Sequence, residues 1–152
     1  MQKTYSIRQG VKADLPAVLE LIRELAIYEK ALHEVNNTLE KMAEDGFGPQ
    51  PIFGFFVAES QDKIIGLSLY YYRYSTWKGK RLYLEDLIVT ESERGNGVGK
   101  LLMDHTIAFG KSQKCTGMMW QALDWNEPAL NFYKTYKASF DEEWVNCHLD
   151  FA

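Results

Sequence analysis

Cysteine, proline and positive charge are all scarce in this sequence, and each shortage excludes something. The two cysteines, Cys115 and Cys147, have no short paired spacing, so neither a disulfide framework nor a zinc knuckle is available to hold the chain together. The four prolines, Pro16, Pro49, Pro51 and Pro128, are scattered, and no repeat or linker-like tract divides the chain. Nowhere do about 18 uncharged apolar residues run together, so no membrane span is expected. Residues 1–20 carry Lys3, Arg8, Lys12 and Asp14 without an apolar run; no secretory signal is expected, and the expected location is cytoplasmic, with reduced thiols. Seventeen Lys and Arg stand against 21 Asp and Glu, a net charge of −4, which argues against nucleic acid or an anionic membrane as partner and suits a cationic ligand. His33, His105 and His148 lack metal-ligand spacing, and no metal is expected.

What is present fits a single domain spanning 1–152, with 46% hydrophobic and 14% aromatic residues, enough for a packed core. After an extended start at 5–8, Leu15, Val18, Leu19, Ile22, Leu25 and Ala26 recur at helical spacing, with Asp14 as the expected N-cap and Pro16 in the first turn. Thr38 is expected to cap a short helix through about Glu44, ended by Asp45-Gly46-Phe47-Gly48. Segments 53–58 and 64–74 are rich in aromatic and β-branched residues and read as a hairpin across Gln61-Asp62-Lys63. A strand over 82–89, a glycine-rich stretch at 94–99 and a helix to about Gly110 follow. Then come a strand at 118–123, a helix at 127–136 and a closing strand at 144–151. The order predicts an α/β (α+β) fold, a mixed, largely antiparallel sheet with helices on both faces.

The segment with most chemistry in it is the 82–89 strand followed by Arg94-Gly95-Asn96-Gly97-Val98-Gly99-Lys100. Glycines let a backbone approach an anion closely, and the start of a helix offers unpaired N–H groups and a positive dipole end, so the loop is suited to a pyrophosphate. It lacks the Lys-Ser/Thr ending of a Walker loop, and its glycines do not fall in the dinucleotide pattern.

Arg94-x-x-Gly97-x-Gly99 resembles the acetyl-coenzyme A loop of the GNAT superfamily of N-acetyltransferases. A second family feature, Trp125-Asn126-Glu127-Pro128-Ala129-Leu130-Asn131-Phe132-Tyr133, lies about 30 residues downstream. Glu24-Leu25-Ala26-x-Tyr28-Glu29, Glu44-Asp45-Gly46-Phe47-Gly48, Tyr83-Leu84-Glu85-Asp86 and Asp124-Trp125-Asn126 resemble the spermidine/spermine and thialysine branch over nearly the whole chain. Ser75-Thr76-Trp77 is similar to the thialysine enzymes, whereas the spermidine/spermine enzymes place an acid first. Lys137 stands where the family usually has a glycine after its last helix.

The resemblance implies a GNAT fold, a homodimer, acetyl-coenzyme A as cosubstrate and a small cationic amine as acceptor. A primary amine has a pKa near about 10 and must lose a proton before attacking a thioester. The resemblance puts Glu85 beside the acetyl group, at a break in the sheet, as that base through an ordered water, and Tyr133 as the acid that protonates the leaving thiolate. Backbone N–H from Leu87, Ile88 and Val89 would stabilise the carbonyl oxygen, where one donor contributes roughly 3 kcal/mol to the barrier. The donor site would comprise these three with Arg94, Gly95, Asn96, Gly97, Val98, Gly99, Lys100 and Asn126. Residues 20–45 hold seven acids against three bases; most suit a solvated helix face, but Glu29 beside Tyr28 falls where the family binds the acceptor. Trp77 as a cation–π wall, Glu85, Asp86 and Glu142 or Glu143 would complete the acceptor site.

Other readings compete. A protein or peptide acetyltransferase would need the same donor site, and a non-catalytic acyl-coenzyme A sensor would need Glu85 or Tyr133 replaced. An acetyl-cysteine route has no base beside either cysteine. The aromatic run Tyr70-Tyr71-Tyr72-x-Tyr74 could stack on single-stranded nucleic acid, against its reading as a packed strand.

Overall fold

Apolar side chains on both faces of one central strand decide the architecture. In the computed structural model, which describes residues 3–151, Gly54–Ser60 form β2, with Phe55 and Val57 in one core and Phe56 and Ala58 in another, as period-two side chains require. A strand apolar on both sides needs cover on both. Helices α1 (Leu15–Tyr28) and α2 (Leu39–Phe47) supply it on the first face, through Leu15, Val18, Leu19, Leu21 and Met42. Helix α3 (Val98–Ser112) supplies it on the second, through Val98 and Leu102. The sheet runs in sequence order, β1 (Ser6–Gln9), β2, β3 (Lys63–Ser75), β4 (Gly79–Val89) and β5 (Met118–Met119). All neighbours are antiparallel except the parallel pair β4–β5, so the sheet is mixed and largely antiparallel, as the sequence predicts.

The chain divides into two compact units, residues 1–120 and 121–152. The first carries the whole sheet and α1 to α3; the second carries α4 (Glu127–Lys134).

Local chemistry explains most boundaries. The Thr38 hydroxyl accepts from Lys41 N–H at 3.2 Å and starts α2, as expected of an N-cap. Gln61 and Asp62 adopt φ +52° and +61°, the paired left-handed turn that matches strand twist. Asp14 sits at the α1 boundary, but its carboxylate does not cap that helix. It accepts from Val11 N–H at 2.8 Å and both Arg8 nitrogens at 2.8 and 2.9 Å, holding it well below the usual carboxylate range. Helix α2 continues past Glu44 to Phe47, and Gly46 serves packing within it, since a Cβ there would lie 2.5 Å from the ring of Phe53.

Three sequence-based expectations need correction. Trp144–Phe151 forms no strand; alternation records how side chains would sit on a sheet, but a strand exists only where another backbone takes up its ladder. Strand β5 stops at Met119 instead of reaching residue 123, and α4 stops at Lys134 instead of Tyr136. At the α4 terminus the Thr135 hydroxyl donates to the Phe132 carbonyl at 2.6 Å, taking an acceptor the helix would otherwise use.

Lys137 has φ +58°, a conformation that costs a side-chain-bearing residue roughly 1 kcal/mol more than glycine. Lys137→Gly should therefore raise stability by about 0.5–1 kcal/mol, after allowing for the extra freedom glycine gains in the unfolded chain. The midpoint of urea unfolding reads this directly, and a lower midpoint would mean that the lysine side chain stabilises the native state.

Candidate active site

Consecutive residues on a strand point to opposite faces, so Glu85 and Asp86 can share a face only if the strand is interrupted. It is. Leu69 of β3 pairs with Asp86 and Tyr70 pairs with Leu84, leaving Glu85 as an extra residue in β4 with no partner. This β-bulge re-aims the side chain. The Tyr71 hydroxyl, on the face that carries Leu69 and the α1 core, donates to Glu85 Oε1 at 2.9 Å. Asp86 lies two residues before Ile88, which belongs to that same core. The bulge thus presents both carboxyls to the α1 side, where Glu29 ends the helix.

Electrostatics confirm the cluster. Burial, with the charges of Glu85 and Glu29, pushes the Asp86 carboxyl up to about 7, because a charged carboxylate loses hydration there and meets like charges. Burial alone raises Glu29. The Tyr71 phenol is raised far above its usual range, by burial first and then by its bond to Glu85. Tyr71 stacks on Tyr83 with ring centroids 5.2 Å apart, and the Arg73 guanidinium lies 5.8 Å from the Tyr83 ring. A concavity lined by Ile52, Phe53, Leu69, Tyr71 and Tyr72 adjoins the cluster through Tyr71. Three acids beside an apolar, aromatic wall have the chemistry to receive a cation carried on an alkyl chain.

The glycine loop follows the C-terminal end of β4, beyond Val89 and the turn Glu91–Glu93. Gly95 and Gly97 have φ +83° and +81°, and a Cβ at either would meet nothing within 4 Å, so both the conformation and the open space favour glycine. The first backbone bond of α3 runs from Leu101 N–H to the Gly97 carbonyl, which leaves the amides of Val98, Gly99 and Lys100 without intrahelical partners at the loop mouth. That is an anion cradle. The Arg94 guanidinium lies 5.4 Å from the Tyr28 ring and its Nε donates to the Val89 carbonyl. Asn96 donates to the Glu93 carbonyl at 3.2 Å.

The remaining expected residues separate into roles. Leu87, Ile88 and Val89 bury their side chains in the two cores, so only their backbone is available. Strand β5 pairs with β4 only at Leu82 and Tyr83; beyond Tyr83 that edge of β4 has no strand neighbour among the described residues. Lys100 turns along its helix to Asp104 at 2.6 Å and not into the loop mouth. Asn126 Oδ1 caps α4 by accepting from Ala129 N–H. Tyr133 lies on α4, its ring 5.6 Å from that of Phe132, and Glu143 is exposed beyond the helix. Trp77 is 85% exposed at the tip of the β3–β4 hairpin. At about 3.3 Å per residue, β4 alone spans roughly 20 Å from that tip to the bulge, so the fold does not bring Trp77 to the acidic cluster of its own chain. Ser75, the position that differs between the two branches, accepts from Trp77 and Lys78 N–H at 3.2 and 3.0 Å and shapes the turn.

Tyr71 escaped the sequence reading, which took its aromatic run as strand packing. Only the register opposite the bulge distinguishes it. No group of His, Cys, Asp and Glu among the described residues could hold a metal ion, and no helix among them is long and apolar enough to cross a membrane.

A profile of the acetyltransferase (GNAT) family matches residues 16–137. The thialysine N-epsilon-acetyltransferase of Mus musculus is 38% identical over 136 residues, covering 84% of this chain and 80% of that protein. The spermidine/spermine N(1)-acetyltransferase-like protein 1 of Homo sapiens is 33% identical over 150 residues, covering 92% of this chain and 22% of that protein. Among solved structures, an aminoglycoside N-acetyltransferase in complex with CoA shares the fold, with a TM-score of 0.75 at 18% identity over 98% of this chain and 97% of its own.

Proposed function

Because this chain belongs to the GNAT acetyltransferase family, and is an N-acetyltransferase acting on amine acceptors, we propose that it transfers acetyl from acetyl-coenzyme A directly to a primary amine of a small cationic molecule. Thialysine and other lysine-like amino acids lead, ahead of diamines and polyamines, because Ser75-Thr76-Trp77 is similar to the thialysine enzymes. The observation that carries this reading is the bulge at Glu85, which sets two adjacent carboxyls on the face where Glu29 ends α1.

Acetyl-coenzyme A supplies an activated thioester. The residues present fit it: the amides of 98–100 and the open glycines Gly95 and Gly97 suit its pyrophosphate, and the free edge of β4 beyond Tyr83 offers backbone groups to its extended arm. Glu29 and Asp86 bind the acceptor's charge, while the wall of Phe53, Leu69 and Tyr71 takes its alkyl chain. Glu85, held by Tyr71, accepts the proton the ammonium must lose, through an ordered water. The backbone N–H groups of 87–89 stabilise the carbonyl oxygen as negative charge grows on it. Tyr133 returns a proton to the departing thiolate.

The test is coenzyme A release with a panel of thialysine, lysine, ornithine, putrescine, spermidine and a lysine peptide. Turnover should favour the small lysine-like amines, and Glu85→Gln and Tyr133→Phe should each lower kcat by roughly tenfold or more. Coenzyme binding without turnover of any small amine would sink the proposal and favour a protein acceptor or a sensor.

A further inference from the structure

Glu24 has no place in the proposed chemistry, yet its half-buried carboxylate makes the most concentrated set of hydrogen bonds between α1 and the segment that leads into the glycine loop. The Thr90 hydroxyl lies 2.9 Å from Oε2 and 3.1 Å from Oε1, and Glu91 N–H donates to Oε1 at 2.8 Å. Thr90 is the last residue before the turn Glu91–Glu93, and Arg94 follows directly. One helical turn beyond Glu24, Tyr28 places its ring 5.4 Å from the Arg94 guanidinium. Residues four apart share a helix face, so two side chains of α1 hold the segment that enters the loop, at Thr90–Glu91 and at Arg94. From the opposite side, the buried Glu93 carboxylate accepts from Lys3 Nζ and Tyr5 Oη, each at 2.7 Å. The loop's own glycines offer no side chains to fix it, and a Cβ at Gly95 or Gly97 would meet no neighbour. Its shape therefore rests on these flanking ties together with the bonds of Arg94 to Val89 and of Asn96 to Glu93.

We infer that Glu24 is a positioning residue of the donor site: by holding Thr90 and Glu91 against α1, it sets the geometry in which the loop and the start of α3 receive the coenzyme's pyrophosphate. Its contribution is the pair of hydrogen bonds and not its charge, because a negative charge beside a pyrophosphate site can only repel the ligand. Glutamine retains both bonds. Its oxygen accepts from Glu91 N–H, and its amide donates to the Thr90 hydroxyl, which can act as acceptor. Alanine loses both, and the loop then orders itself at the expense of binding. The inference rests on the reading of this loop as a coenzyme A site.

The test measures coenzyme A binding by calorimetry and amide hydrogen exchange over residues 90–97, for the wild type, Glu24→Ala, Glu24→Gln and Thr90→Val. Glu24→Ala should weaken coenzyme A roughly tenfold and speed exchange in the loop, with kcat at saturating donor within about twofold of wild type. Glu24→Gln should bind as the wild type does. Thr90→Val, which keeps the side chain's shape and removes only the hydroxyl, should fall between them and report the same contact if Glu24→Ala fails to fold. Wild-type affinity in both Glu24→Ala and Thr90→Val overturns the inference and leaves the coenzyme reading intact, as does Glu24→Gln binding as poorly as Glu24→Ala. A wild type that does not bind coenzyme A at all overturns the coenzyme reading and this inference with it.

Discussion

Asp86→Asn should make the protein more stable at pH 8 while weakening its hold on a cationic acceptor. Asp86 titrates near 7 in the folded protein, against an ordinary 3.8, so between these values the native state binds a proton that the unfolded chain has already lost. Stability therefore falls as pH rises through this window, and the loss is complete above about 7. About three pKa units correspond to an upper limit of roughly 4 kcal/mol; with residual hydration of a half-buried group, about 2 kcal/mol is expected. Asparagine carries no charge to desolvate, so the difference between variant and wild type should be near zero at pH 4 and largest at pH 8. Urea unfolding across that range measures it, and parallel curves would mean that Asp86 is not held in a charge-averse site. In the same variant KM for the amine should rise roughly tenfold while coenzyme A binding stays unchanged, since Asp86 lies outside the glycine loop proposed to hold the pyrophosphate. Binding a cation lowers Asp86 towards its ordinary value, so amine binding at pH 7 should release protons, and this release should vanish in the variant.

Gly97→Val should separate donor binding from folding. At φ +81° a β-branched residue is strained, at a cost of about 1–3 kcal/mol, but its Cβ would meet no protein atom within 4 Å. Phe55, by contrast, would lie 1.9 Å from a Cβ at Gly10, so glycine is there for packing. At Gly97 the proposed function leaves the open space to the ligand. The valine side chain should block the cradle formed by the amides of 98–100 and weaken coenzyme A by roughly a hundredfold, in a protein that still unfolds cooperatively at a slightly lower denaturant midpoint. Wild-type affinity in a folded Gly97→Val protein would show that the anion is bound elsewhere.

Both predictions concern residues that the sequence reading singled out, but for reasons it could see only in part. Arg94 to Gly99 is legible because its signal is local: glycines, a following helix and their spacing are all consecutive in the chain. The two-sided core of β2 and the stripes of α1 and α3 are legible for the same reason, since periodicity is written in neighbouring residues. Asp86 was visible only as an acid beside another acid. Its raised pKa depends on the bulge opposite Tyr70 and on Glu29, which is 57 positions away in the chain. Tyr71 shows the same limit: in the sequence it is one tyrosine among several, and the register across from the bulge turns it towards Glu85.

Trp144–Phe151 marks where local pattern misleads. The resemblance offers Trp77 as a cation–π wall, and the hairpin sets it roughly 20 Å from the bulge along β4 of its own chain. Alternation over 144–151 suggests a strand, but ladder hydrogen bonds must come from another backbone. Sequence alone was enough for a mixed, largely antiparallel sheet, the helices that cover it and the glycine loop, because each is written in neighbouring residues, and the family was legible in its motifs. Folding was needed to set which carboxyls share a face, which tyrosine bonds Glu85 and which glutamate bonds Thr90. Burial and charge coupling act through space, and that distance is fixed by folding alone.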